Sequence, residues 1–176
     1  MVYPIFIAVL QGTFRIRNWF ACALLITAWT CTATMGADPP VTPLGVCEVL
    51  HDIAAVAGKD VAVVGRYSFR ADGRWLSEQA CDSPGAAPPE LWLLEDSKDA
   101  PKLPEHFEID GTALHKKLVE IERHTSLGKF RFGTPDYDRW ALVYGRVEAR
   151  KGDAAKKAPA NLLFRGSGVV VFLTAE

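Results

Sequence analysis

The side chains that could carry chemistry in this sequence are two cysteines, four histidines, a few carboxylates at turns, and a group of arginines and tryptophans. Cys47 and Cys81 are the two cysteines beyond residue 37. Two thiols in an exported chain usually form one disulfide. They lack the Cys-x-x-Cys spacing of a redox pair, and the histidines show no zinc-ligand spacing with either of them. The sequence therefore predicts a structural disulfide between Cys47 and Cys81.

The histidines form no recognisable catalytic or metal-binding motif. We expect solvated imidazoles on polar helix faces, with His124 near a helix C-terminus, where the helix dipole favours a cation. The alternative is a fortuitous cation site at His106 with Glu108 and Asp110. Neither His-Glu-x-x-His nor a clustered spacing occurs among the four, which are His51, His106, His115 and His124. The sequence predicts no metal and no cofactor.

The turn carboxylates are the residues that a metal-dependent hydrolase would need to pair around an ion. They are Asp60, Asp72, Glu78 and Glu95, and no strand or helix pattern puts them on one face. Gly-x-Ser-x-Gly, the P-loop and the dinucleotide fingerprint are all missing. No residue is predicted to be catalytic, and a metal-dependent hydrolase is the weakest of three hypotheses.

A group of basic and aromatic residues predicts a binding surface. Single-stranded nucleic acids bind to aromatic platforms beside basic groups, and oligosaccharides also use aromatic surfaces. In this hypothesis Phe130, Phe132 and Trp140 add to the surface. The alternative is that all of these aromatics fill a small barrel. All 21 acidic but only 18 of the 20 basic residues follow residue 37, so this part carries a net charge of −3, which disfavours nucleic acid. The candidate ligand-binding residues are Arg66, Arg70, Arg74, Trp75 and Trp92.

The first 37 residues have the order of a secretory signal. Arg15 and Arg17 precede an apolar stretch at 19–29, and a small-residue segment follows at 31–37. The apolar stretch is shorter than the roughly 20 residues of a comfortable membrane span. We expect a signal peptide cleaved between 33 and 37, and hence a periplasmic or secreted protein. The alternative is an uncleaved anchor at 19–34, which would be its one contact with a membrane.

The remaining chain predicts a linker at 38–43 and one domain at 44–176. A helix is expected at 43–57, with Thr42 as N-cap and Gly58 as left-handed C-cap. A long strand at 61–70 follows, which turns at 71–73 and returns at 75–80. Alternation puts one set of residues on one face of this strand and a second set on the other: Val61, Val63, Gly65, Tyr67 and Phe69, against Ala62, Val64, Arg66, Ser68 and Arg70. Gly65 predicts a bulge or sharp bend.

The second half of the domain contains further strands and a second helix. A third strand is expected at 91–95, a loop without periodicity at 96–110, and a helix at 112–126 capped by Thr112. A fourth strand at 140–150 leads through a solvated loop at 151–159 to a last strand at 161–173, with a break near 166–168. The fold class is mainly β with two helices: a five-stranded barrel, one N-terminal helix, and one helix between strands 3 and 4.

The order of the predicted helices and strands, and the segment Gly58–Gly65, resemble those of a known fold. The segment resembles the "GKxVxVxG" opening of OB-fold proteins, which are Greek-key barrels with a helix between strands 3 and 4. The chain looks like uncharacterised small exported bacterial proteins of OB-like fold, well over 44–95 and loosely over 140–173. The resemblance implies no catalytic residues.

Three hypotheses of function follow, and the sequence does not identify the partner. The leading one is a non-enzymatic exported domain, held together by Cys47 and Cys81, that binds a protein or envelope component. The alternative is an oligonucleotide or oligosaccharide binder using the barrel face. The third is the hydrolase.

Overall fold

The computed structural model of the chain describes residues 39–81, 89–128, 137–166, 168 and 170–173. The predicted leader at 1–37 lies outside the described residues, as do Phe130 and Phe132. No helix within the described ranges combines the length and the apolar character needed to cross a membrane.

Seven strands and four helices occur in the described part of the chain. The strands are β1 (Leu44–Gly45), β2 (Asp60–Arg70), β3 (Gly73–Ser77), β4 (Glu90–Glu95), β5 (Tyr137–Ala149), β6 (Ala160–Phe164) and β7 (Val170–Leu173). The helices are α1 (Val46–His51), α2 (Ile53–Val56), α3 (Gly111–Glu122) and α4 (Asp153–Lys157).

Five of the strands close into a barrel. They are hydrogen-bonded in the order β2, β3, β4, β6, β5, and β5 pairs again with β2. The β4–β6 pair is parallel and the other four pairs are antiparallel. Short β1 adds to β2 in parallel, and β7 adds to β5. The predicted mainly-β class and the closed five-stranded barrel are confirmed.

Apolar side chains form two cores, one on each side of the wall formed by β2 and β5. The barrel interior contains the face of β2 that includes Val63 and Tyr67, and it is filled mainly by Val, Leu and Phe side chains. The largest fully buried ones are Phe164, Leu76, Leu91 and Leu162. The second core lies between α3 and the outside of the wall, and its buried members are Ala62, Val64, Ile121, Trp140, Leu142 and Tyr144. Helix α3 is therefore fixed to the barrel by apolar burial, and Trp140 belongs to this core.

Gly65 serves close packing rather than a bulge. The pairing of β2 with β5 runs in unbroken register through Gly65, which lies opposite Ala141. A Cβ at this position would come within 2.9 Å of Val46 Cγ2 and 3.3 Å of the Ser77 carbonyl oxygen. Only a residue without a side chain lets α1 approach the strand this closely. The predicted bulge is wrong.

The predicted helix count and the N-terminal helix need correction. Leu44 and Gly45 pair with β2, so the first helix begins after Gly45 and neither Thr42 nor Pro43 starts it. Asp52 then interrupts the helical path, because its side chain accepts a hydrogen bond from the Ala55 amide and caps a separate α2. Gly58 does adopt a left-handed conformation, with φ of 78°.

The remaining boundaries differ less. Asp110, rather than Thr112, caps α3, and the helix ends at Glu122 instead of 126. The predicted loop at 151–159 contains α4, and the predicted last strand is two strands, β6 and β7.

The aperiodic loop between β4 and α3 packs against the barrel. Phe107 makes an edge contact with Tyr144 at 4.9 Å between ring centroids. Ile109 forms a bridge with Val41, whose amide donates to the Glu108 carbonyl at 2.8 Å. These tertiary contacts hold the loop between β4 and α3 in place, although its sequence has no helical or strand periodicity.

Candidate ligand-binding face

Trp75 of β3 and Trp92 of β4 lie opposite each other on the outer surface of the barrel. Their neighbours Leu76 and Leu91 are fully buried in the interior, so strand alternation directs the two indoles outward. Both tryptophans are half-buried, with ring centroids 6.0 Å apart and planes tilted by 31°. Together they form a shallow, slightly angled aromatic surface.

Gly73 makes room for this arrangement. It adopts φ of 147°, and a Cβ there would come within 2.8 Å of a Trp92 ring carbon. The Trp92 ring thus lies across the backbone at the start of β3, where a side chain would displace it.

The two tryptophans belong to a cross-strand row on the outer surface. Asn161 of β6 lies opposite Trp92, and Glu148 of β5 lies opposite Asn161. The Asn161 side-chain amide donates to Glu148 Oε2 at 3.3 Å, at an exposed position. We define the ligand face as this row with the arginine that follows β5: Trp75, Trp92, Asn161, Glu148 and Arg150.

Arg150 lies over the Trp92 ring, with Cζ 5.5 Å from the ring centroid. Its backbone amide donates to the Pro159 carbonyl at 2.9 Å, which closes the base of the β5–β6 connection. Arg150 Nη1 and Trp92 Nε1 are both shielded from solvent, and neither has a hydrogen-bond partner among the described residues. A buried donor without an acceptor costs roughly 1–3 kcal/mol. Two such donors on one aromatic surface mark the place where an acceptor would stabilise the protein.

The three predicted arginines near this face are all engaged within the protein. Arg66 donates to Ser77 Oγ and to the Ser126 carbonyl, at 3.2 and 3.1 Å. Arg70 is ion-paired with Asp138 at 2.7 Å and Arg74 with Glu95 at 2.6 Å. Burial would lower the pKa of Arg74, but the hydrogen bond and charge of Glu95 raise it above its ordinary value. Two of the three expected basic groups, Arg70 and Arg74, are therefore neutralised by carboxylates, and Arg66 is held by neutral acceptors.

Asp138 is a buried carboxylate that joins three segments. It accepts hydrogen bonds of 2.7 Å from Ser68 Oγ, Arg70 Nη2 and the Gly128 amide. Burial alone would raise the pKa of Asp138, but these donors and the charge of Arg70 hold it below its ordinary value. The residue fixes the segment after α3 to the barrel wall.

Glu78 forms a second buried node, at the end of β3. One carboxylate oxygen accepts from the Cys47 amide at 3.0 Å, and the other lies 2.9 Å from His124 Nε2. The next residue, Gln79, donates its amide to Thr125 Oγ1 at 2.9 Å. Cys47 and Cys81 form a disulfide beside this node, as the sequence predicted. Helix α1, the end of β3 and the segment after α3 are thus held together.

The other predicted histidines stay apart. His51, His106 and His115 are exposed, and no group of three or more His, Cys, Asp or Glu in the described ranges could hold a metal ion. Asp110, part of the alternative cation site, instead caps α3 through the Ala113 amide at 2.9 Å.

The turn carboxylates are used in separate places. Asp60 pairs with Arg146 through two hydrogen bonds of 2.7 and 3.1 Å, which raise the pKa of Arg146. Glu95 pairs with Arg74, and Asp72 is exposed in the β2–β3 turn.

A cleft of about 300 Å³ lies beside Arg146, between the β5 end and the Gly58 turn. We place the candidate site at the tryptophans instead, because the cation lining this cleft is already paired.

Three residues of the ligand face were absent from the sequence prediction: Glu148, Arg150 and Asn161. The alternation along β5 puts Glu148 and Arg150 on one surface, which was a usable signal. The parallel pairing that brings Asn161 beside Trp92 joins strands about 70 residues apart and has no local signal.

Comparisons with protein-family models, curated proteins and solved structures found no match for this chain.

Proposed function

We propose that this domain is an OB fold and that it works as a binding module. The strand order supports this assignment: β2, β3, β4, β6 and β5 follow the Greek-key order of that barrel, with the parallel pair between its third and fifth strands. Helix α3 lies between the third and fourth barrel strands, where the fold has its helix.

The ligand face is the binding site in this proposal. OB folds bind on the outer surface of their second and third strands and on the two adjoining loops. Here these strands are β3 and β4, and the loops are the β2–β3 turn and the β5–β6 connection that begins at Arg150. The observation that carries the proposal is the half-buried Trp75–Trp92 pair, with two donors beside it that lack acceptors.

Binding is favoured over hydrolysis by how the carboxylates are used. Asp60 and Glu95 are ion-paired with arginines, and Glu78 and Asp138 are buried acceptors in structural networks. A general acid or base must reach its substrate. The four groups serve different parts of the fold instead.

Export from the cytoplasm is part of the proposal. The charge and apolar order of residues 1–37 supports it, and the Cys47–Cys81 disulfide is compatible with an oxidising compartment. The ligand would then be a component of the envelope or its surroundings. Detection of the chain in periplasmic or secreted fractions, with its N-terminus sequenced, tests this part.

A fluorescence titration of the full-length protein tests the binding face. The probes are single-stranded oligo-thymidylate and a set of neutral and acidic oligosaccharides, at low salt. We expect a saturable change with at least one class, lost in Trp92→Ala and retained in Val119→Ala, which removes an exposed apolar side chain from α3. A flat response to every probe, or a response that survives Trp92→Ala, would reject the site.

A further inference from the structure

The two unpartnered donors of the ligand face specify an acceptor. Trp92 Nε1 and Arg150 Nη1 donate and cannot accept, and Arg150 carries a full positive charge. A guanidinium pairs with carboxylates and with phosphates, and of these two the carboxylate shares its planar geometry and carries a single charge. The first feature required of a ligand is therefore a carboxylate group.

The remainder of the face favours a sugar ring over other apolar groups. The tilted pair of indoles offers an aromatic surface to the C–H face of a ring. Next to it, Asn161 and Glu148 supply an exposed amide and carboxylate for hydroxyl groups, joined to each other by a long hydrogen bond of 3.3 Å. Polar groups of this kind fix the orientation of a ligand.

The surrounding charges disfavour a nucleic acid. A strand of nucleic acid needs several basic groups that follow its phosphates. Arg70, Arg74 and Arg146 are each paired with a carboxylate, and the chain after residue 37 has a net charge of −3. On the ligand face, Arg150 has no carboxylate partner among the described residues, and this single guanidinium fits a ligand with one isolated negative charge.

An extended peptide is disfavoured at this place for a different reason. Peptides that add to a sheet need an unpaired strand edge. Both strands that carry the tryptophans are paired on each side, β3 with β2 and β4, and β4 with β3 and β6.

We infer that the ligand face takes a saccharide with a single carboxylate, whose ring packs on Trp75 and Trp92 and whose carboxylate pairs with Arg150. The inference rests on the proposed binding function and deepens it. Both donors are closed to solvent, so the guanidinium moves off the Trp92 ring to receive the carboxylate. Arg150 thus covers the Trp92 ring in the structure and supplies the counter-charge once it has moved.

Calorimetric titration of the full-length protein tests the inference with matched pairs of probes. Sialyllactose is compared with neutral lactose, and glucuronyl-xylobiose with neutral xylobiose. We expect at least one acidic sugar to bind about tenfold more tightly than its neutral partner, the effect of one charged contact. Arg150→Met should remove that preference. Lys151→Met, which removes the neighbouring exposed charge, should keep it.

The outcomes separate the sugar class from the binding function. Tight binding of oligo-thymidylate with no binding of either acidic sugar would overturn the inference and leave the ligand face in place. Equal affinity for acidic and neutral sugars, or a preference that survives Arg150→Met, would also overturn it. A protein that binds none of these probes fails both proposals, and circular dichroism of each variant establishes that it is folded.

Discussion

The Glu78 carboxylate accepts a hydrogen bond from the Cys47 backbone amide at 3.0 Å and so caps the first turn of α1 from a distant strand. The contact joins residues 31 positions apart, next to a disulfide that closes almost the same loop. The Cys47–Cys81 disulfide and the hydrogen bond from the Cys47 amide to Glu78 therefore stabilise the same junction. The junction is where α1, β3 and the segment after α3 meet.

Replacing Glu78 should destabilise the domain. Glu78→Ala leaves the Cys47 amide without its acceptor and His124 without its carboxylate, and we expect a loss of roughly 1–3 kcal/mol in the free energy of unfolding. Urea denaturation followed by circular dichroism measures it. Glu122→Ala, at the exposed end of α3, is the control and should stay within about 0.5 kcal/mol of the wild type. Equal midpoints for the two variants would contradict the role of Glu78.

Removing the disulfide should lower the free energy of unfolding by more than Glu78→Ala does. A bridge between residues 34 positions apart lowers the entropy of the unfolded chain. In the loop-entropy model this stabilises the folded domain by roughly 4 kcal/mol. The double substitution Cys47→Ser, Cys81→Ser should lower the unfolding midpoint by a corresponding amount. Its midpoint should not respond to reductant, while the wild-type midpoint should fall. Two free thiols counted in the unreduced, denatured wild type would show that the bridge does not form.

The fold was predictable where local pattern and tertiary contacts agree. The alternation along β2 correctly predicted which of its residues share a face, because Val63 and Tyr67 lie together in the barrel interior. The helical spacing over 43–57 was overridden by pairing of Leu44 and Gly45 with β2, a contact that no local periodicity reports. Short helix α4 was missed because its five residues are too few for a periodic signal.

The site was predictable only in part, for the same reason. Trp75 and Trp92 lie on the outer surface where the alternation of their strands puts them. The arginines were expected to be open, but the partner of Arg70 lies 68 positions away and that of Arg66 lies 60 away. Charge counted along a sequence does not show which charges neutralise one another across a fold. Arg150, which has no carboxylate partner among the described residues, lay outside the predicted set.

Asp138 should make the stability of the domain depend on acid pH. Its pKa in the folded protein is below the ordinary value of 3.8, so the unfolded chain takes up the proton first as the pH falls. The stabilisation is complete above that ordinary value and is lost as the pH drops through the folded pKa. Asp138→Asn should cost roughly 2–3 kcal/mol at pH 7, and this cost should shrink progressively as the pH falls below 3.8. Urea midpoints across this range measure the effect.

The matched control for Asp138 is Asp153→Asn, which removes an almost fully exposed carboxylate. Its stability should follow the wild type at every pH. A constant difference between Asp138→Asn and the wild type from pH 3 to pH 7 would contradict the assignment.

Substituting Gly73 should disturb the ligand face directly. Gly73→Ala puts a methyl group against the Trp92 ring and forces a side chain into a backbone conformation with φ of 147°. We expect a loss of roughly 1–3 kcal/mol in stability and a shift in tryptophan emission as the ring moves off the barrel wall. Gly111→Ala is the control, because its Cβ would meet open space at the start of α3. It should leave the emission unchanged and the stability equal or slightly higher, since alanine favours the helix. An unshifted spectrum for Gly73→Ala would mean that the Trp92 ring does not depend on Gly73 for its place.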